Sequence, residues 1–387
     1  MPAGGREISV TPQLRWRRLR RSLSQAIVLG AALLALIGLG LLVRQGFAER
    51  GVSFSFDFLT KRAGFEISEG FAPTASGFAP FTSDMSNWQA LAIGLFNTLK
   101  VAIVAIALAT MIGVALGVSR LSGNWVVRNL AFWLTEFVRN TPLLIQLTFW
   151  YVAVVLQLPG LRDAAQFWGM IISQQGFWFP RPLVTGGAAD WLALAALVAA
   201  VLAIPAGPVL RRRALAGLAV FLLALALALG FRVGLEMPEV GRFRASGGIV
   251  ISPEYTALLV ALTVNTAAYL GEIVRGAIEA LPKGQWEAAD SIGLSRRYVL
   301  GDVVLPQVFR VVLPAFGNQY ISLAKNTSLG IAIGFPDLFN VYGTVANQTG
   351  RTLEGILVAM AIYLLLSWLI SLLVNLANRR LKIPGVR

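Results

Sequence analysis

The sequence predicts an all-α, polytopic membrane protein with about eight transmembrane helices. Of 387 residues, 56% are hydrophobic and only 13% are charged. Several apolar runs reach the roughly 18 or more residues that a crossing requires. Most of the arginines gather beside those runs.

The chain begins with a basic segment, 1–25, carrying Arg15, Arg17, Arg18, Arg20 and Arg21. The apolar run 26–43 behind it is longer than a secretory h-region and leads into Arg44 without a small-residue cleavage site, so it reads as a retained extra span. Further apolar windows lie at 93–118, 132–156, 191–210, 215–232, 254–272, 309–333 and 354–376. Cations stay on the cytoplasmic side, which places the amino terminus inside. An even number of crossings returns the tail 379–387, with Arg379 and Arg380, to the same side. The same arrangement puts Arg211, Arg212 and Arg213 inside, a group that took no part in choosing the orientation.

Two external stretches follow from this layout. One is the loop 44–90, mixed in charge. The other is about 157–190, carrying Phe167-Trp168 and Phe177-Trp178-Phe179, the first part of a region 157–250 that combines external segments with an inserted helix pair. The aromatics fit an interfacial belt, with partner docking as the alternative. A formal net charge of +14 would suit nucleic-acid binding in a soluble protein. Here most cations flank spans, so no nucleic acid is expected. The chain has no cysteine and no histidine, which removes disulfides, thiolate chemistry, imidazole bases and the usual zinc sites.

Between the windows ending near 272 and starting near 309 lies a polar segment, about 275–306. Pro282-Lys283-Gly284-Gln285 opens it, and 285–292 has the length for about two helical turns. Ala288 and Ala289 would allow another surface to approach closely. Gly293 can take the left-handed conformation that closes a helix, and Ser295 can cap a second one starting at Arg296. Leu305-Pro306 disfavours straight continuation into the next span. By itself this pattern is also that of an ordinary helical hairpin joining two spans.

The residues Glu287-Ala288-Ala289, Asp290, Gly293 and, after nine more, Val303-Val304-Leu305-Pro306 resemble the cytoplasmic loop of ATP-binding-cassette importer membrane subunits, with Val303 in place of isoleucine. The resemblance implies coupling helices that seat in a cytoplasmic ATPase subunit. None of Lys61, Lys100, Lys283, Lys325 and Lys382 stands in a phosphate-binding Walker A loop, so the chain itself is not expected to be an ATPase. ATP and magnesium would be bound by the partner, and no cofactor by this chain.

Four further stretches are similar to the polar amino-acid permease subfamily: Gly94 to Leu99, Phe137 to Leu147, Ala268 to Gly276, and Lys325-Asn326-Thr327-Ser328-Leu329. Asn140 stands where most such relatives carry glycine. The resemblance implies a five-helix type I importer core in two parts, 91–156 and 251–378, enlarged here by one amino-terminal helix and an inserted pair. That layout resembles the Q-type subunit of general L-amino-acid and glutamate, glutamine and aspartate importers. It implies residence in the bacterial inner membrane, an external amino-acid-binding protein and a second permease subunit. A related but different chain is the first choice for that subunit, with self-pairing as the alternative.

Within the spans, Thr141-Pro142 predicts a helix break, because Thr caps and Pro is tolerated at a first helical position. Asn265, Tyr269 and Glu272 share one helix face, and Asn318, Ser322 and Lys325 repeat the spacing on the next long helix. With Asn97, Thr98, Thr327 and Ser328 they form the expected translocation path, and Lys325 is the expected source of positive potential for cargo carboxylates. Interhelical hydrogen bonding and snorkelling would account for the same residues. An ion-coupled secondary carrier is the competing function, although no inverted repeat is visible and Glu136, Glu254 and Glu272 lie toward span ends. A membrane enzyme lacks a convincing set of catalytic groups.

Overall fold

The computed structural model describes residues 12–49, 54–75, 77–182, 187–203, 209–229, 234–295 and 298–381. The chain divides into two units that part between Leu59 and Thr60. In the first unit, α1 (Pro12–Glu49) is a single helix whose apolar stretch Leu23–Leu42 is long enough to cross a membrane. It runs six residues past the expected end of the span at 43, into what the sequence suggested was loop.

The second unit is a helical bundle with a small β-structured cap at one end. A hairpin of β1 (Phe71–Thr74) and β2 (Gly77–Pro80) precedes α2 (Asn87–Ser119). Ser86 and Gln89 start that helix as a capping box, with the Ser86 backbone N–H donating to Gln89 Oε1 at 3.0 Å. Asn124 caps α3 (Trp125–Arg139) by accepting from the Val126 and Val127 backbone N–H groups. Next come α4 (Leu143–Thr148) and a π-helical continuation, Phe149–Val154.

The strands β3 (Ala165–Phe167), β4 (Met170–Ser173) and β5 (Gly176–Phe179) follow, then β6 (Arg181–Pro182). The inserted pair is α5 (Ala188–Ala203) and α6 (Val209–Ala228), which pack on one another with Ala196, Ala199, Ala219 and Ala226 buried. After it come β7 (Leu235–Glu236), β8 (Glu239–Val240), β9 (Ala245–Ser246) and β10 (Ile249–Ile251). The antiparallel sheet β10-β5-β4-β3 joins segments from both sides of the insertion, and Trp178 and Ile171 are buried beneath it. These stretches were expected to be surface loops. The helical class holds, with this sheet and the shorter hairpins added.

The long helices that follow are α7 (Pro253–Glu279), α9 (Leu305–Asn326) and α11 (Thr352–Leu381). Between them lie α8 (Lys283–Ser291) and α10 (Leu338–Thr349), the latter a 12-residue helix that the apolar windows did not show. Ser252 caps α7 by accepting from the Tyr255 N–H at 3.1 Å, with Pro253 in the first turn where no N–H is needed.

Among the described residues five helices are long and apolar enough to cross a membrane. The windows at 132–156, 191–210 and 215–232 correspond to shorter apolar helices, Leu143–Gln157, Ala188–Ala200 and Arg213–Ala228.

Helix α7 is the axis of the bundle. It runs parallel to α2: Val101 and Ala102 share a buried cluster with Tyr255 and Leu258, while Gly113 and Gly117 meet Leu270, Gly271 and Val274. Glycine is required in that seam, because a methyl on Gly117 would lie 2.6 Å from the Gly271 carbonyl oxygen. Parallel passage demands an odd number of crossings in between, and α3 with α4 supplies one, running antiparallel to α7 from Arg139 beside Tyr269 to Tyr151 beside Glu254. The three crossings expected from the sequence satisfy the same rule.

Candidate functional site

The polar segment after α7 folds as an elbow. Pro282 precedes α8, and the helix ends in a Schellman turn: Gly293 takes φ +71°, and the Leu294 N–H reaches back to the Ala289 carbonyl at 3.2 Å. Glu287, Ala288, Asp290, Ser291, Ile292 and Gly293 are exposed, and Ile292, a large apolar side chain, is 73% exposed. Ala289 turns the other way. It is buried against a cluster holding Ile278, Val299, Val304 and Val308, so only one of the two alanines faces outward. Gln307 at the base of α9 donates to Gln285 Oε1 at 3.0 Å, which ties the elbow to the following helix.

Helical backbone continues through Leu305 and Pro306, but not as one regular α-helix, the straight continuation that Leu305-Pro306 was expected to disfavour. The turn before them, Val299–Val304, is widened to π geometry, and Pro306 falls at the start of α9, where its missing N–H is tolerated. The expected cap of Ser295 on a helix from Arg296 involves Arg296 and Arg297, which lie outside the described residues. Beside the elbow lies a groove of about 770 Å³ between the end of α2, the start of α3 and α8. Its lining includes Trp286, Glu287 and Asp290.

Above the elbow an ion cluster joins α2, α3 and α7. Glu272 receives Arg120 Nη1 at 2.5 Å and Arg275 Nη2 at 2.6 Å, and Arg139 Nη1 stands 3.8 Å away. Glu136 lies between Arg139 at 3.3 Å and Arg120 at 3.5 Å, and Arg275 reaches on to Glu279. The Arg120 side chain is only 8% exposed. Glu272 therefore fastens three helices together.

Farther along the bundle a polar cavity of about 470 Å³ opens at the break between α3 and α4. The break falls at Asn140-Thr141-Pro142, as the Thr-Pro pair predicts. Gln146 Nε2 donates to the carbonyls of Val138 at 2.8 Å and Thr141 at 2.9 Å, covering acceptors that the interrupted helix leaves over. Asn140 keeps φ at −88°, so this turn makes no demand for glycine.

Helices α3 and α4 contribute Arg139 to Leu143 to the lining. Asn265, Thr266 and Tyr269 come from α7, and Gln319, Ser322, Leu323 and Asn326 from α9. Of the expected path residues, the cavity brings together Asn265, Tyr269 and Ser322. Asn318 and Lys325 lie exposed on the neighbouring face of α9, and Glu272 belongs to the ion cluster.

Asn97, Thr98 and Thr327 are bound up in packing at the other end of the bundle. Asn97 donates to the Pro336 carbonyl at 2.9 Å, Thr98 accepts from the Leu338 N–H at 3.1 Å, and Thr327 donates to the Ala324 carbonyl at 2.9 Å. Ser328 is half-buried in the short 3₁₀ stretch Thr327–Ile333. Gln319, Asn326 and Arg139 were not among the expected path residues, although Asn326 and Arg139 stand in the stretches similar to the permease subfamily. Gln319 and Asn326 repeat at a helical interval of seven, one residue round from the stripe that was drawn, and that period was their signal.

Residues 109–383 match the family described as the binding-protein-dependent transport system inner membrane component. The chain belongs to that family. It is similar to the general L-amino acid transport system permease protein AapQ of Rhizobium johnstonii, 37% identical over 352 residues that cover 86% of this chain and 85% of the relative. The glutamate/glutamine/aspartate/asparagine transport system permease protein BztB of Rhodobacter capsulatus is 32% identical over 95% of this chain and 94% of its own length. A solved amino acid ABC transporter with histidines is 22% identical at a TM-score of 0.47, covering 75% of this chain and 94% of that one. The family and the long apolar helices together make this a membrane-embedded transport component.

Proposed function

We propose that the chain is the permease subunit of an ATP-binding-cassette importer for polar or general L-amino acids, forming half of a translocation path and coupling it to a separate ATPase. The observation that carries this reading is the elbow, an exposed short helix with Ala288, Ser291 and Ile292 on its surface, anchored through Ala289 and Gln285 to the helices behind it. An apolar tip on a rigid mount suits docking to a soluble partner better than a solvated loop does.

On this reading the elbow, Arg379 and both termini face the cytoplasm of a bacterial inner membrane. The partner ATPase binds ATP and magnesium, and an external binding protein delivers the cargo. A second, related permease chain covers the exposed polar face of α9 at Asn318, Ser322 and Lys325, with a second copy of this chain as the alternative. Family membership and the relatives named as amino-acid permeases support the reading. The ion-coupled alternative gains nothing, since Glu272 is held by arginines and Glu254 accepts the Tyr151 hydroxyl at 2.9 Å.

Reconstitution of the full assembly in proteoliposomes tests it. Amino-acid uptake should require ATP, the ATPase and the binding protein, and Glu287→Lys should uncouple uptake from hydrolysis. Uptake that proceeds without ATP would refute the proposal.

A further inference from the structure

We infer that Arg139 is the group that takes the cargo carboxylate in the polar cavity, and that the cavity refuses cationic side chains because no acidic residue stands among the described residues that line it. This rests on the permease reading above and adds to it a selectivity residue.

Among the described residues of the lining Arg139 is the one full charge, and the other polar groups are amides and hydroxyls. A guanidinium offers five donors in a fixed fork that matches a carboxylate. Arg139 meets its carboxylate neighbours through Nη1, Glu136 at 3.3 Å and the more distant Glu272 at 3.8 Å. The oxygens of Glu272 are already taken at shorter range by Arg120 and Arg275. Arg139 Nε is buried without a hydrogen-bond partner, so a carboxylate in the cavity would be met by the outer nitrogens of this side chain, which is 30% exposed.

The guanidinium is also held in place. It lies 5.6 Å from the centre of the Tyr269 ring, and the Tyr269 hydroxyl donates to the Arg139 backbone carbonyl at 3.4 Å. A carboxylate entering from the cavity would compete with Glu136, the loosely held partner, and so meet a cation already positioned. The amide and hydroxyl oxygens of Asn265, Gln319 and Ser322 are the acceptors for an α-ammonium group. A volume of about 470 Å³ lies within the range of small-molecule sites. An arginine or lysine side chain would bring a second cation toward Arg139, and the described lining offers it no carboxylate, Glu136 and Glu272 being shared among Arg120, Arg139 and Arg275. Lys325, the cation expected from the sequence, stands on the exposed face of α9 and is not in the lining.

The test is equilibrium binding of radiolabelled L-glutamate, L-glutamine and L-arginine to the purified membrane complex of this chain with its ATPase and permease partner, in nanodiscs without binding protein. Glutamate and glutamine should bind at least about tenfold more tightly than arginine. Arg139→Met should weaken both by about tenfold or more, with partial recovery in Arg139→Lys. Gln319→Glu should shift the glutamate-to-arginine ratio toward arginine, and it decides the matter if Arg139→Met does not assemble. Equal binding of glutamate and arginine by the wild type, wild-type binding in Arg139→Met, or an unchanged ratio in Gln319→Glu would overturn the inference. ATP-driven uptake by the wild-type assembly, run in parallel, separates the two levels. Its absence refutes the permease reading, whereas uptake with normal binding in the Arg139 variants refutes only the role of Arg139.

Discussion

Replacing Gly117 with alanine should destabilise the bundle, although alanine is the better helix former. The added Cβ would lie 2.6 Å from the Gly271 carbonyl oxygen and 2.7 Å from Val274 Cβ, where ordinary contact begins at 3.4 Å. Backbone and a β-carbon cannot rotate away, so α2 and α7 must part by about 0.8 Å along their seam. A gap of that size forfeits a quarter to a half of each contact's dispersion energy, and overpacking of this kind costs about 1–3 kcal/mol. The intrinsic gain of alanine over glycine, roughly 0.5–1 kcal/mol, offsets part of this. The net loss is about 1–2 kcal/mol, a fall of several degrees in melting temperature.

Gly276, on the same helix α7 with nothing within 4 Å of its would-be Cβ, is the control. Thermal unfolding of the purified chain in detergent should show Gly117→Ala melting below the wild type and Gly276→Ala at or above it. A Gly117→Ala variant that melts at or above the wild-type temperature would refute the argument from the seam.

Arg120→Met should cost about 2 kcal/mol or more, because Arg120, 8% exposed, holds Glu272 at 2.5 Å and Glu136 at 3.5 Å; the check is thermal unfolding with Glu272→Gln as the paired variant. Gly293→Val forces a β-branched residue to φ +71° and should loosen the elbow by about 1–2 kcal/mol, read as ATP hydrolysis that no longer tracks uptake. Burial pushes the Asp337 carboxyl up to about 6 from an ordinary 3.8, against the hydrogen bonds it accepts. Its folded value exceeds its unfolded one, so its contribution favours folding at low pH and is lost as pH rises from about 4 through 6. Asp337→Asn should therefore flatten the pH dependence of melting in that window; an unchanged slope would count against a buried, proton-retaining Asp337.

What could be seen in the sequence was local. The Glu287 to Pro306 spacing gave the elbow, Thr141-Pro142 gave the break, and Gly293 gave the left-handed turn, because each depends on residues within one or two helical turns. What escaped depends on partners distant in the chain. Ala289 and Ala288 are indistinguishable until the cluster beneath the elbow shows which one is covered. The α9 stripe was drawn through Asn318 and Lys325, whereas the cavity face is Gln319 and Asn326, a rotation that apolar periodicity cannot fix in a helix with polar residues on adjoining faces. The strands flanking the inserted pair are two to four residues long, and β5 pairs with β10 across some seventy intervening positions. The spacing of Gly113 and Gly117 was present in the sequence, but its partner Gly271 lies on another helix.

The central claim is that the elbow meets a nucleotide-hydrolysing subunit. Because the chain contains no cysteine, a single one can be placed at the exposed Ala288, and another, in a separate variant, at the exposed Trp168 on the sheet at the other end of the bundle. Oxidative cross-linking in membranes that contain the whole assembly, with single cysteines on the ATPase, should trap that subunit against Ala288→Cys and not against Trp168→Cys. No adduct at Ala288 under conditions where uptake runs, or an adduct at Trp168 instead, would contradict the account.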